Sequence, residues 1–336
     1  MIREAIRTLA ERRDIGHDMA KAVMNEIMDN TVSEVEKAAY LTALAIKGET
    51  VGEITGSAEA MRDHCVKFLN DEDVLEIIGT GGDKSNSFNI SSTAALVIAA
   101  AGVPVAKHGS RASHSKAGAA DMYEALGVNI RLDPDRASQV LKEIGMIFLF
   151  AQNYHIAMKY VGPVRKELGI RTVFDFLGPL ANPAGATMEL MGVYDESLCR
   201  PLGQVLSNLG VKRALVVYGQ DSMDEISMSA PTTVCEVRDG WIKNYTIKPE
   251  DFGLVRCRKE DLTGGTAKEN AEICRRILSG RDRGPKRDAV LINAGAALYM
   301  AGKENSIKEG VELAAHTIDC GAAFEKMDQF ISATNQ

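Results

Sequence analysis

The segment VAKHGSRASHSKAG, beginning at Val105, gathers Lys107, His108, Arg111, His114 and Lys116 among small and hydroxylated residues. An ammonium is a compact point charge, and a guanidinium grips two oxygens side by side, so Lys107 and Arg111 together suit a phosphate. Ser110, Ser113 and Ser115 add hydroxyl donors. A solvated basic loop is the plainer alternative. A second segment, IIGTGGDKSNSFNISS at 77–92, ends a β-prone run with three glycines and leads into a helix near Ser91 or Ser92. Glycines let backbone N–H groups approach an anion, and a helix N-terminus adds partial positive charge. Asp83 repels a bare phosphate but suits a ligand that also carries hydroxyls or a metal, as a sugar phosphate does. The spacing is neither a Walker loop nor GxGxxG, and a tight turn with Asn89 or Ser91 as helix cap is the structural alternative.

A third segment, GQDSMDEIS, holds Asp221, Asp224 and Glu225. Adjacent carboxylates on a loop suit magnesium, a hard ion that takes one or two of them and keeps waters and phosphate oxygens. A fourth, HIAMKYVGPVRKELGIRTVFDFLGPLANP at 155–183, is punctuated by Pro163, Pro179 and Pro183. Its His155 and Lys159 are spaced to share one helical face, and Arg165 is suited to a carboxylate.

These segments need elements to hold them. The first 68 residues read as helices: Met19, Val23, Met24, Ile27 and Met28 repeat at helical spacing. Ser33 and Glu36 form a capping box opening a helix that Gly48 closes, and 51–69 reads as another helix. From Val74, short β-branched runs (VLEII, VPVAKHG, IFLF, ELMGVY, RALVVYG) alternate with helical stretches, the pattern of an α/β domain with a mainly parallel central sheet. TVCEVRDGWIKNYTI reads as a hairpin at the sheet edge, turning at Asp-Gly. The last seventy residues return to helices. Two anion-friendly loops, each after a strand, favour one ligand in the crevice between them.

The chain has 336 residues and a net charge of -7, which argues against a general nucleic-acid partner. No apolar run reaches the roughly 18 residues that span a bilayer, and nothing near Met1 resembles a signal peptide. The six cysteines are scattered without a CxxC pair, so a reduced, cytoplasmic protein without structural zinc is expected.

Together the segments resemble the anthranilate phosphoribosyltransferase family, which is similar in fold to pyrimidine nucleoside phosphorylases. GTGGD at 79–83, FNIS at 88–91, KHG at 107–109, Asp224-Glu225 and PVRKELGIRTVFDFLGPLANP fall in that family's order over nearly the whole chain. The resemblance implies a small helical domain, 1–68 with part of 160–190 packed on it, and a larger α/β domain, 73–336. It implies a homodimer through the helical part. Phosphoribosyl pyrophosphate (PRPP) would be lined by Gly79, Gly82, Asp83, Ser87, Asn89, Ile90, Ser91 and Ser92. Lys107, His108, Gly109, Ser110, Arg111, Ala112, Ser113, His114 and Ser115, with Ala119, would cover its phosphates. Magnesium would sit at Ser91, Asp224 and Glu225. Anthranilate would sit at Gly79, Ser110, His155 and Arg165, with Lys107, Arg111 and Arg165 serving catalysis.

The chain also departs from the family pattern. Ser110 stands for a usual Asn, Ser87 and Ser92 for Thr, Lys84 for Gly, and Asp175 for Asn; His114 replaces a small residue, and FAQNYHIAMK lacks two customary prolines. Several changes lie on the acceptor side, so the donor is better supported. Two other readings follow: a paralogue that uses another aromatic acceptor, and a non-catalytic relative that binds nucleic acid.

Overall fold

The computed structural model describes residues 1–112 and 116–336. Ser113, His114 and Ser115 lie outside the described residues. The chain opens with helices α1 (Ile2–Ala10), α2 (Gly16–Met28), α3 (Glu34–Lys47) and α4 (Val51–Asp63). The capping box expected at α3 forms, with Ser33 accepting from the Glu36 N–H and the Glu36 carboxylate taking the Ser33 N–H, and Gly48 closes the helix. The helix expected over 51–69 stops six residues early. After His64 the backbone is drawn elsewhere, and the Val66 N–H donates to the Tyr154 carbonyl at 2.9 Å.

Strand β1 (Leu75–Gly79) leads to α5 (Ile90–Ala100), β2 (Val105–Gly109), α6 (Ala119–Leu126), α7 (Pro134–Ile144) and β3 (Met146–Phe150). A short, irregular stretch follows: α8 (Ala151–Tyr154), a 3-10 turn at Ile156–Tyr160, α9 (Gly162–Leu168) and α10 (Phe174–Leu180). Then come β4 (Met188–Gly192), α11 (Cys199–Asn208), β5 (Arg213–Gly219), β6 (Thr232–Arg238) and β7 (Trp241–Ile247). Helices α12 (Ala267–Leu278), α13 (Pro285–Met300), α14 (Ile307–Asp319) and α15 (Ala322–Thr334) complete the chain.

The seven strands lie in the order β3-β2-β1-β4-β5-β6-β7. The first five run parallel, and β6 and β7 form the expected antiparallel edge hairpin. Its turn places Asp239 and Gly240 at φ 49° and 84°, the left-handed pair that Asp-Gly supplies. Side chains alternate across the sheet. Leu190, Leu215, Val217 and Val234 enter a core with α5, α6, α7 and α12 to α15. Met191, Ala214, Val216, Cys235 and Val237 enter a second core on the opposite face, shared with α1 to α4, α10 and α11. The region 161–181 thus packs with the N-terminal helices.

Strand succession reverses between β1 and β4: the chain steps outward from β1 through β2 to β3, then returns to β1's other side. Such a switch point splays the loops at the strands' carboxyl ends and opens a crevice there. The loops after β1, β2, β4 and β5 are the ones that carry the chemistry read from the sequence.

Candidate active site

The glycine loop after β1 turns on Gly81 and Gly82 at φ 74° and 75°. Lys84 and Asn86 continue it at φ 59° and 53°. A lysine there is strained, which accounts for glycine as the family's usual choice at that position. Asp83 accepts from the Ser85 N–H at 3.1 Å, and the Ser85 hydroxyl bridges to Ser87 at 3.1 Å. The loop is therefore wound by its own side chains.

Asp224 and Glu225 follow β5 and reach back over β1. A Cβ on Gly79 or Gly192 would collide with Asp224, so two glycines, at the ends of β1 and β4, make its seat. Its carboxylate accepts the Gly81 N–H at 2.6 Å. Glu225 accepts the Ser91 N–H at 3.2 Å, at the amino end of α5, where negative charge meets the helix dipole. Asn89 is the helix cap by position but makes no side-chain cap bond; its amide instead spans from the Ala117 carbonyl, 3.3 Å, to the Asn270 amide, 2.8 Å. Asp221, read with the acidic pair, is turned away onto the hydroxyls of Ser227 and Ser229.

Lys107 lies beneath this cluster, only 2% exposed. Its ammonium donates to the Ile77 carbonyl and to Ser91 Oγ at 3.4 Å. Burial lowers its pKa, opposed by the charges of Glu76, Glu225 and Asp224. Burial raises the pKa of Glu225 to about 7, which Lys107 counters. Asp224 is also pushed up, first by burial and then by Asp83 and Glu225. Three acidic groups thus crowd one lysine. The surplus of negative charge fits a hard divalent cation at Ser91, Asp224 and Glu225. Among the described residues no three His, Cys, Asp or Glu side chains could hold a metal by themselves, so phosphate oxygens or water must supply most of its ligands.

Arg111 differs from the free clamp expected of it. Its guanidinium is paired with Asp121 at 2.8 Å and with Glu124 at 2.9 and 3.1 Å. Asp121 also accepts the N–H groups of Ala112 and Gly118, both at 2.9 Å. Arg111 is thereby held by two carboxylates at the mouth of α6, next to Ala119. The Ser110 hydroxyl donates to the Arg111 carbonyl at 3.3 Å. Among the other expected contacts, Ile90 and Ser92 are buried and Ser92 offers its carbonyl to the Tyr123 hydroxyl at 2.8 Å. The His108 N–H is held by the Glu76 carboxylate at 2.7 Å.

His155 is buried with its ring 5.0 Å from that of His108 and edge-on to it. It does not share an α-helical face with Lys159. It ends the single turn of α8, and Lys159 lies in the 3-10 turn, where residues four apart diverge by about 120°. Lys159 lies instead over the Tyr160 ring at 4.8 Å. Arg165, on α9, pairs with Asp175 at 3.4 Å and stacks over Phe174.

Sequence reasoning missed Arg171. Its guanidinium donates to the Gly82 carbonyl at 2.9 Å and lies 3.6 Å from the centroid of the Tyr194 ring, just beyond β4. The segment 165–175 therefore runs from the proposed acceptor arginine to the glycine loop. The only sequence signal was the basic residue two positions after Gly169.

Comparison with known proteins agrees with this layout. Two glycosyl transferase family models match, one of the helical bundle domain at residues 3–65 and one of the a/b domain at 71–324. The chain is 61% identical over 335 residues to the anthranilate phosphoribosyltransferase of Methanobrevibacter smithii, covering all of both chains. It is similar to the crystal structure of anthranilate phosphoribosyltransferase from Thermus thermophilus, with a TM-score of 0.94, 42% identity and 99% coverage of each chain. It is also similar to the Saccharomyces cerevisiae enzyme in complex with PRPP and Mg, with a TM-score of 0.91, 28% identity, and coverage of 99% of this chain and 98% of that one.

Proposed function

The chain belongs to this glycosyl transferase family, and we propose that it transfers the phosphoribosyl group of PRPP to anthranilate, releasing pyrophosphate, as a step of tryptophan biosynthesis. The observation that carries the reading is the seat of Asp224 over Gly79 and Gly192. It brings the acidic pair, the glycine loop and the α5 N-terminus together at the sheet's switch point. The helical domain, 1–68 with part of 160–190, and the α/β domain, 73–336, would face each other across this crevice.

Gly79, Gly82, Asp83, Ser87, Asn89 and Ser91 would line the ribose and diphosphate, and the segment 110–119 that follows β2 would cover them. Ser91, Asp224 and Glu225 would hold magnesium, whose charge offsets the negative charge that grows on departing pyrophosphate. Lys107, buried beneath Ser91, opposes the rise that burial imposes on Glu225 and adds its own field. Arg111 would exchange Asp121 and Glu124 for phosphate oxygens when the donor arrives. Arg165 would hold the acceptor carboxylate and aim the amine at the anomeric carbon, a proximity effect. An aromatic amine is a weak nucleophile, so easing departure of pyrophosphate is the greater part of the task. No protein nucleophile is needed.

A homodimer is supported by α3, where the apolar Val35 and Ile46 are 79% and 67% exposed. No helix among the described residues is long and apolar enough to cross a membrane, and a cytoplasmic location suits the reading. A second acceptor is the alternative with an observation behind it, since Ser110 and the Arg165–Asp175 pair alter the acceptor side. The test is loss of anthranilate fluorescence on adding PRPP, magnesium and protein. Efficient loss is expected; none, with PRPP still bound, would move the function to another acceptor. A gel shift at low salt would revive the nucleic-acid reading.

A further inference from the structure

We propose that Asp175 sets acceptor selectivity by neutralising Arg165 before any acceptor arrives. The inference deepens the function proposed above and rests on it. Arg165 is the cation assigned to the acceptor carboxylate, and it is held on two sides. The Phe174 ring centroid lies 5.5 Å from its guanidinium carbon, and Asp175 Oδ1 lies 3.4 Å from Nη2. Both partners sit in the first turn of α10, so the backbone fixes their geometry.

Asp175 is itself anchored. Its other carboxylate oxygen accepts the Thr172 N–H at 2.7 Å, so it cannot swing aside without undoing the turn that starts α10. The other charged groups nearby do not relieve the pairing. Arg171 is committed to the Gly82 carbonyl and the Tyr194 ring. Glu49, from the loop between α3 and α4, adds a half-buried carboxyl within electrostatic reach of Asp175.

An incoming carboxylate must therefore share the guanidinium with Asp175 and meet like-charge repulsion in doing so. The consequence is a weaker grip on the acceptor's carboxylate and less discrimination against aromatic amines that lack one. Asparagine would isolate the effect. Its amide oxygen still accepts the Thr172 N–H and its shape is nearly the same, while the charge and the acceptor facing Arg165 are lost together.

The experiment compares wild type with D175N in three readouts: affinity for anthranilate by its own fluorescence without turnover, the KM values for anthranilate and PRPP, and relative transfer to aniline. D175N is expected to bind anthranilate about three- to fivefold more tightly. Its KM for anthranilate should fall in step, while the KM for PRPP moves much less and the preference for anthranilate over aniline grows. A merely structural role for Asp175 would instead raise both KM values and lower the Tm. Unchanged or weaker anthranilate affinity in D175N overturns the proposal. If wild type transfers to anthranilate and D175N behaves identically, the function stands and this inference fails. If D175N binds anthranilate more tightly but neither protein transfers to it, the inference stands and the function fails. If neither protein binds anthranilate, both fail.

Discussion

The donor and acceptor sides of this crevice are built differently. The donor side hangs on strand ends: Gly79 and Gly192 seat Asp224, and Glu225 closes the amino end of α5. Its groups are buried and its charges unbalanced toward the negative. The acceptor side rests on the irregular stretch between β3 and β4, where short helices and a 3-10 turn carry His155, Arg165 and Asp175. Its charges are already paired. A sheet terminus fixes a group to within a fraction of an ångström, whereas short helices fix it only through their neighbours. The family's pattern is largely kept on the first side, where Ser87 and Ser92 retain a hydroxyl and Lys84 is the main departure, and is altered more on the second.

The contrast can be broken most directly on the donor side. Alanine at both Asp224 and Glu225 should lower kcat on the order of 10^3-fold at saturating magnesium, because the charge on the leaving group loses its counterion. A titration of turnover against magnesium checks this, and near-normal activity at limiting metal would end the metal assignment.

K107M separates the field of Lys107 from the loop it resembles. It strands Glu76 and Glu225 without their cation, and denaturant unfolding should show a loss of about 3 kcal/mol. A surface phosphate clamp would cost almost nothing on that measure.

The acceptor side carries a pH signature. Burial lowers His155 from 6.5 to about 4. The unfolded chain therefore takes up this proton near pH 6.5 and the folded chain only near pH 4. Stability is full above 6.5 and falls as pH drops toward 4, by about 3 kcal/mol from this group. His108, also depressed by burial, adds in the same direction. Unfolding curves for H155Q should be flatter than wild type across that window; parallel curves would place the imidazole in water.

Two smaller effects test the link between the sides. R171A releases the Gly82 carbonyl, and the KM for PRPP should rise about fivefold with little change in that for anthranilate. K84G should stabilise the protein by about 0.5–1 kcal/mol, since glycine adopts the positive φ of the donor loop without strain. A Tm below wild type would mean that the Lys84 side chain makes a compensating contact.

Much of this was readable in the chain. The capping box at Ser33 and Glu36, the Asp-Gly hairpin and the strand–helix alternation are local patterns, and each formed where local chemistry dictates. The glycine loop and the acidic pair announced themselves by residue type. The sequence overextended α4 to residue 69, because the bond from Val66 to Tyr154 joins segments far apart in the chain. It placed His155 and Lys159 on one helical face, because spacing alone does not distinguish α from 3-10 geometry.

The amino-acid sequence by itself determined the fold class, the family and the chemical character of each loop, since these follow from periodicity, turn residues and motif order. Only the tertiary structure decided which groups are free to act. Lys107 is buried, Arg111 is held by Asp121 and Glu124, Arg165 is held by Asp175, and Arg171 reaches the glycine loop. An ion pair or a burial depends on what the fold brings within a few ångströms, and the partners of these side chains come from other turns, loops and strands that residue type alone does not place.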